Sequence, residues 1–221
     1  MERPVVRVNG GLREAVGLFL VEHRGVLSII DTGTDGSAKR ILGAVEKAGR
    51  RPEDVRQIVL THCHGDHSGS AASLREATGA TVVAGAGDVG VIEGTAPYPG
   101  PPGQPFRTLY ANLARYPRLG VDREVDGPTH LDGGLVALPA PGHTEGHLVV
   151  HAPDLDSIFA GDLVFHLGLL RPSWRGLTQD PERNAESIRE VAAVGAGRII
   201  PGHGTSLSGE RLRELAHSLA R

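Results

Sequence analysis

Residues 62–67, with the sequence HCHGDH, carry three imidazoles, a carboxylate and a thiol within six positions. They directly follow the apolar run 57–60, which predicts a buried strand. Continued strand alternation points His62 and His64 to one side and Cys63 to the other. A turn at the glycine then brings the aspartate and the third histidine round to the same space. Such converging donors suit zinc or a similar divalent ion, so the motif predicts a metal site beside a buried, inert thiol.

The bulk composition limits what else the chain can be. Its 221 residues, 39% of them hydrophobic, suit a single domain with a sizeable core. A net charge of −3 offers no attraction to nucleic acid or to an anionic membrane, which leaves a small-molecule substrate as the expected partner. One cysteine and no apolar leader favour a cytoplasmic protein. The composition does not decide whether the protein forms a homo-oligomer.

Strand and helix patterns alternate through both halves of the chain, which predicts an α/β fold. Predicted strands cover residues 5–8, 16–21, 26–30, 55–60 and 81–84, and then residues 135–138, 148–151, 157–160 and 198–200. Predicted helices cover residues 37–48, 68–77, 181–194 and 209–219, and residues 165–178 are expected to form a loop. We expect these elements to form one domain over residues 1–221.

Residues 93–128 differ in character from the rest of the chain. Their first half contains five prolines and three glycines, which excludes regular structure there, while residues 109–116 have the pattern of a short helix. Long irregular segments inside compact domains are commonly functional loops. We therefore expect a flap over the metal site, with Tyr98 and Tyr110 as candidate substrate contacts. The alternative is a structural insertion elsewhere on the surface.

Three later motifs share one design, in which a predicted strand ends in a polar ligand beside a glycine. The ligands are His143, Asp162 and His203. Side chains at strand ends converge on one edge of a sheet, and a glycine lets the backbone turn without filling the space that a metal needs. These three residues are therefore candidate ligands for the same site.

Together, the order HxHxDH, His, Asp, His closely resembles the metallo-β-lactamase-fold superfamily of hydrolases, and the resemblance covers most of residues 31–203. It implies a four-layer αββα sandwich of two mixed β-sheets flanked by helices, with a binuclear site of two Zn²⁺ ions, or of Fe or Mn. It assigns His62, His64 and His143 to the first metal, Asp66, His67 and His203 to the second, and Asp162 to both. Two metals about 3.5–4 Å apart form a recognised hydrolytic clamp.

The same resemblance implies supporting roles for further residues. Asp31 matches an acceptor that orients a ligand imidazole, with capping of a turn as the alternative. His147 is expected to support the site without binding metal directly. Asp66 is expected to relay a proton in catalysis. His166 and Trp174, on the predicted loop that follows the bridging aspartate, are candidate substrate contacts.

The full ligand set resembles thioesterases of the glyoxalase II (hydroxyacylglutathione hydrolase) type, lactonases and related esterases. It implies that a bridging hydroxide cleaves an ester, thioester or lactone bond. Glyoxalase II enzymes carry a helical C-terminal extension that helps to bind glutathione, whereas one helix is predicted after Gly204. Substrate binding is therefore expected to fall to residues 93–128 and 165–178. Two alternatives stay open: a mononuclear iron persulfide dioxygenase, and a non-catalytic, metal-stabilised binding module.

Overall fold

Two β-sheets lie face to face in the computed structural model, which describes residues 5–8, 16–98, 100 and 116–220. The first sheet contains β1 (Val5–Arg7), β2 (Phe19–His23), β3 (Val26–Ile30), β4 (Val55–Val59), β5 (Thr81–Gly85) and β6 (Arg123–Val125), paired in that order. The second contains β7 (Thr129–His130), β8 (Val136–Pro139), β9 (Leu148–Ala152), β10 (Ser157–His166), β11 (Leu170–Pro172), β12 (Arg198–Gly204) and β13 (Leu207–Ser208). Its order is β13-β12-β10-β9-β8-β7, with β11 paired to β10.

Both sheets mix parallel and antiparallel pairs. In the first, β1, β2 and β3 form an antiparallel meander, whereas β3, β4, β5 and β6 are parallel. In the second, β10 and β12 are parallel and the remaining pairs are antiparallel. Since parallel strands end at the same edge, residues that follow them in sequence are brought close together in space.

Six α-helices are described: α1 (Ala38–Lys47), α2 (Gly65–Ser68), α3 (Ala71–Thr78), α4 (Ala86–Glu93), α5 (Pro181–Val194) and α6 (Gly209–Ser218). The α5 helix shows why such segments start and stop where they do. Asp180 accepts a hydrogen bond from the Arg183 backbone N–H at 2.8 Å, Pro181 occupies the first turn, and Gly195 ends the helix at φ 84°. Within the described ranges, no helix has the length and apolar character needed to cross a membrane.

Strand residues alternate between an inner and an outer core. Phe19, Ile30 and Val83 belong to the core between the sheets, together with Leu148 and Phe159 of the second sheet. The neighbours of these residues in sequence face outward, and pack against α1, α3 and α4 on one side and against α5 and α6 on the other. Helices and sheets therefore form four layers, and the predicted αββα fold is confirmed.

Several predicted boundaries are wrong. Residues 165–178 were expected to form a loop, but β10 extends to His166 and turns into β11, followed by a 3₁₀ turn at Arg175–Leu177. The strand β6 lies inside the segment that was expected to be irregular, and α4 was not predicted at all. The helix expected over residues 109–116 lies, except for its last residue, outside the described part. That residues 1–221 form one domain stays a prediction.

Phe159 provides a test of the core between the sheets. Its ring is 1% exposed and lies 5.1 Å from that of Phe19 across the sandwich. Replacement by Ala should lower the free energy of unfolding by about 3–5 kcal/mol, because the cavity left behind cannot fully collapse. Urea unfolding of the metal-free protein measures the change. Leu167→Ala, at a 68% exposed position, should stay within about 0.5 kcal/mol of the parent, and equal effects would contradict this core.

Candidate metal centre

The strands of both sheets bring the predicted ligands to one edge of the sandwich. β4 ends at Val59, and the residues that follow it lead into α2. Residues 62–67 therefore lie beyond the carboxyl end of this strand. The short helix, rather than the predicted turn, carries Asp66 and His67 round to face the histidines before them. Asp162 and His203 lie on the parallel strands β10 and β12. All seven predicted ligands come together, in three overlapping groups.

Three imidazoles form the first group. The Nδ1 atom of His64 lies 3.0 Å from Nε2 of His62 and 3.1 Å from Nε2 of His143. All three side chains are buried. Three ring nitrogens therefore face one point.

Asp162 contacts histidines on both sides of the centre. Its Oδ1 atom lies 3.3 Å from Nε2 of His67, and its Oδ2 atom lies 3.3 Å from Nε2 of His203 and 3.6 Å from Nε2 of His143. Asp66 completes the second group, with Oδ2 at 3.5 Å from Nε2 of His203 and 3.9 Å from Nε2 of His67. One buried carboxylate thus lies between the two sets of imidazoles.

Asp31 determines which nitrogen of two histidines faces the centre. Its buried carboxylate accepts hydrogen bonds from His67 Nδ1 at 2.8 Å, from the Thr61 hydroxyl at 2.9 Å and from the Thr61 backbone N–H at 2.8 Å. A carboxylate can only accept, so Nδ1 of His67 carries a proton and Nε2 is the nitrogen that faces the centre. The Thr61 hydroxyl, which donates to Asp31, in turn accepts from Nδ1 of His62 at 3.1 Å.

Two further residues hold the remaining parts of the centre. The Ser173 hydroxyl lies 2.7 Å from Nδ1 of His143 and fixes the outer side of that ring. Nε2 of His147 accepts the backbone N–H of Asp162 at 3.1 Å. His147 therefore contacts the backbone of the central aspartate, and it belongs to none of the three ligand groups.

Burial keeps four histidines of the centre neutral, because it removes water from the charged form. It lowers the pKa of His62 and of His143 well below the usual value, that of His64 to about 4 and that of His147 to about 3. Neutral imidazoles are the form that binds metal ions.

The two histidines nearest to carboxylates behave in the opposite way. Burial opposes the charge on His67 and His203, but the facing carboxylates outweigh it, raising the pKa of His67 well above its usual value and that of His203 to about 9. Burial likewise opposes the carboxylate form of Asp162 and Asp66, yet these histidines hold the pKa of Asp162 well below its usual value and that of Asp66 at about 2. Negative charge and protons are therefore concentrated at this half of the centre.

The donor set fits a divalent cation. His67 Nε2 and Asp162 Oδ1 are buried, face each other at 3.3 Å, and have no hydrogen-bond partner among the described residues. Two acceptors at this distance repel each other unless a proton or a cation lies between them. A Cβ atom at Gly202 would lie 2.5 Å from Asp162 Oδ1, so glycine keeps this space open. Imidazole and carboxylate donors suit Zn²⁺, and also iron or manganese.

Three residues near the ligands escaped the sequence analysis: Thr61, Ser173 and Asp88. Asp88 is 2% exposed and accepts hydrogen bonds from both ligand-bearing loops. No pattern singles these residues out, because each makes a contact with a residue remote in sequence: Thr61 with Asp31, Ser173 with His143 and Asp88 with Cys63. Cys63 is fully buried and belongs to none of the ligand groups, as its alternation with the two histidines suggests.

Among the described residues predicted to contact substrate, Tyr98 is hydrogen-bonded to a predicted metal ligand. Tyr98 hydrogen-bonds through its hydroxyl to Nε2 of His64 at 2.7 Å, so it touches a predicted ligand. Nδ1 of His166 lies 2.9 Å from the Thr205 carbonyl oxygen. Trp174 is 63% exposed. Tyr110 lies outside the described residues, as do residues 99 and 101–115 of the predicted flap as a whole.

Trp174 lines a cavity of about 550 Å³ beside the ligands. Leu167 and Leu169, which are 68% and 54% exposed, line it as well, with Arg171 and Arg175 as the charged lining residues of the described chain. Ser173, which contacts His143, also belongs to this wall. None of the seven predicted ligands lines the cavity, and Ser173 is a lining residue that contacts one of them.

Comparison with known proteins identifies the family to which this arrangement corresponds. A family model described as the metallo-beta-lactamase superfamily matches residues 16–203. A hydroxyacylglutathione hydrolase from Cereibacter sphaeroides is 34% identical over 146 residues, which cover 66% of this chain and 47% of that protein. The probable metallo-hydrolase YflN from Bacillus subtilis is 27% identical over 87% of this chain and 82% of its own length. The chain thus spans less than half of the hydroxyacylglutathione hydrolase that it matches.

A solved structure supports the same comparison. The crystal structure of TTHA1623 in a di-iron-bound form superposes with a TM-score of 0.73 and 27% identity, over 93% of this chain and 96% of that one.

Without bound metal, the protein should lose stability as the pH rises from about 6.5 to about 9. The pKa of His203 is raised to about 9 in the folded state, so the folded protein holds more protons than the unfolded chain across this interval. Its free energy of unfolding therefore falls with rising pH. Urea unfolding with a chelator present measures the slope.

His203→Gln should make this slope shallower, since His67 still contributes. With metal present the trend should reverse, because metal binding releases protons and strengthens as the pH rises. A metal-free protein whose stability increases across the interval would contradict the placement of His203 between two carboxylates.

Proposed function

The chain belongs to the metallo-beta-lactamase superfamily, and we propose on this premise that it is a metal-dependent hydrolase of ester, thioester or lactone bonds. The observation that carries the proposal is the convergence of seven buried or half-buried ligand side chains in groups whose donor atoms lie within 4.8 Å of one another. The hydroxyacylglutathione hydrolases among the relatives support a thioester as one of these bonds.

The proposed centre holds two ions. His62, His64 and His143 would hold the first, Asp66, His67 and His203 the second, and Asp162 both. When bound, divalent ions in such a site lower the pKa of a coordinated water towards about 7 and polarise a carbonyl oxygen. No serine or cysteine nucleophile is then needed.

The other residues of the centre orient these ligands before substrate arrives. Asp31 and Thr61 bind the outer nitrogens of His67 and His62, so that Nε2 of each ring faces the centre, and Ser173 holds the ring of His143. Orientation by such partners commonly contributes 10–100-fold to metal affinity or activity. Turning the rings in advance lowers the cost of ordering them when metal and substrate bind.

Asp66 is the residue proposed to handle the proton. Its side chain is 33% exposed, whereas that of Asp162 is 4% exposed. A pKa of about 2 in the metal-free protein keeps it ionised at neutral pH. One oxygen of the ionised carboxylate would hold the ion, and the other could accept a hydrogen bond from water and pass a proton towards the leaving oxygen or sulfur.

The substrate is proposed to extend from the ligands into the cavity that Trp174 lines. A volume of about 550 Å³ lies in the range of small-molecule sites. Its exposed leucines suit an apolar acyl group, and Arg171 and Arg175 suit an anionic substituent. Arg175 also pairs with Glu182 at 2.9 Å, so Arg171 is the stronger candidate for this contact.

Asp162→Ala should remove at least one metal ion and nearly all turnover, because this carboxylate contacts histidines of both groups. Elemental analysis and hydrolysis of a panel of thioesters, acyl lactones, phosphodiesters and β-lactams measure both quantities. Asp154→Ala is the matched control, since that carboxylate pairs with Arg24 at the surface. A variant at Asp162 with full metal content and full rate would contradict the bridging role.

The same assays separate the alternatives. About two zinc ions per chain together with hydrolysis supports the proposal. One iron per chain, with oxygen uptake on glutathione persulfide, would support a persulfide dioxygenase instead. Bound metal with no turnover on any member of the panel would support a metal-stabilised binding module.

Trp174→Ala should raise KM about tenfold for substrates with a long apolar acyl group and leave kcat nearly unchanged. The indole would supply apolar contact equally to the ground state and the transition state, and losing it costs about 1–2 kcal/mol. Steady-state kinetics over a series of acyl lengths measures the effect. Val194→Ala removes an exposed apolar side chain outside this cavity and should change neither constant. A KM that does not depend on acyl length would exclude this cavity as the acyl site.

A further inference from the structure

Asp88 is a buried carboxylate that none of the roles proposed above uses. It lies in the first turn of α4 and accepts three hydrogen bonds. The donors are the backbone N–H of Cys63 at 2.8 Å, the hydroxyl of Thr144 at 2.7 Å and the backbone N–H of Gly146 at 3.0 Å. Cys63 belongs to the loop after β4 in the first sheet, and the other two to the loop between β8 and β9 in the second.

Two of these donors are adjacent to predicted ligands. Cys63 lies between His62 and His64, and Thr144 directly follows His143. The carboxylate of Asp88 therefore binds the chain next to every imidazole of the first group. Its bond to Cys63 holds the segment that carries His62 and His64, and its bond to Thr144 holds the segment that carries His143. By joining these two segments, Asp88 connects the chain of His64 to the chain of His143. The facing atoms of these two rings, Nδ1 of His64 and Nε2 of His143, lie 3.1 Å apart.

The packing around Asp88 is as close as backbone atoms permit. A Cβ atom at Gly85 would lie 1.9 Å from the Gly146 carbonyl oxygen, and one at Gly146 would lie 2.3 Å from the Asp88 backbone nitrogen. Glycine is thus required where α4 meets the loop that carries His143. The backbone that carries Asp88 therefore lies directly against the loop that carries His143.

We propose that Asp88 is a positioning residue that sets the distance between His64 and His143, and hence the affinity of the three-histidine group for its metal ion. This inference rests on the metal-binding function proposed above. The second group is held by different contacts: both the backbone N–H and the hydroxyl of Thr32 donate to the His67 carbonyl oxygen, at 2.6 and 2.8 Å. Loss of the Asp88 carboxylate therefore weakens the binding of the ion at the three-histidine group and leaves the binding of the other ion unchanged.

The test is a titration of the metal-free protein with Zn²⁺, followed by calorimetry, and with Co²⁺, followed by its visible spectrum. Asp88→Asn keeps the size of the side chain but turns an amide N–H₂ towards a cluster of donors. The expected result is a loss of about tenfold or more in affinity for one ion, with the other unchanged. Thr144→Val, which removes one of the three bonds, should give a smaller loss of the same kind, and Thr144→Ser should restore the affinity.

Thr32→Val is the matched control. It also removes one hydrogen bond of a buried threonine hydroxyl, but this bond is made to the carbonyl oxygen of His67, a ligand of the other group. It should leave the affinity of the three-histidine group unchanged. Urea unfolding of each metal-free variant separates positioning from general stability, since a purely structural role lowers stability and leaves the affinity ratio of the two ions unaltered. If Asp88→Asn does not fold, the Thr144 pair decides the question.

The possible results separate the two proposals. A parent protein that binds no metal ion would contradict the proposed function and this inference together. A parent that binds metal, with Asp88→Asn and Thr144→Val at parental affinity, would overturn the role of Asp88 alone. Equal losses at both ions in the Thr144→Val and Thr32→Val variants would also overturn it.

Discussion

The rest of the structure depends on one constraint, which is that the donor atoms of the predicted ligands are held close together and face one another. Nε2 of His67 and Oδ1 of Asp162 face each other across 3.3 Å, a spacing that requires a proton or a cation between them. The fold holds them in place through Asp31, which accepts three hydrogen bonds while its backbone adopts φ 60°, a left-handed conformation that costs about 1–3 kcal/mol in a residue with a Cβ atom. In the metal-free protein the raised pKa of His67 supplies a proton at this position, and a bound cation would take the place of that proton.

The centre is assembled from both sheets, so its dimensions follow from how the sheets are joined. The first sheet supplies residues 62–67 and the second supplies His143, Asp162 and His203. Contacts between the halves are made where side chains are absent, at Gly85 against Gly146 and at Gly202 against the ring of His67. A methyl group at any of these positions would clash with the other half, so the two halves could not approach each other as closely. The packing at these glycines therefore sets how close the two halves of the centre lie, and with it the proposed affinity for metal.

The extent to which the sequence predicted this structure follows from the range of the interactions. The ligand motifs were visible because each is local, a polar residue beside a glycine after an apolar strand. The α5 helix was predicted at its observed bounds, because its Asp-Pro start and its glycine end are local signals as well. Asp88 was missed because its donors lie 25, 56 and 58 residues away. No pattern of neighbouring residues records such a contact.

The failure at residues 165–178 has a different cause, and it bears on function. A strand that extends beyond the sandwich has no core to face, so the alternation that predicts strands is absent at its tip. There Leu167 and Leu169 are exposed, at a cost in solvation that a purely structural hairpin would avoid with polar residues. Apolar side chains that are retained in water beside a reactive centre favour a surface that is covered when substrate binds. The rigid strands thus fix the chemistry, and the projecting hairpin is where selection among substrates is expected to act.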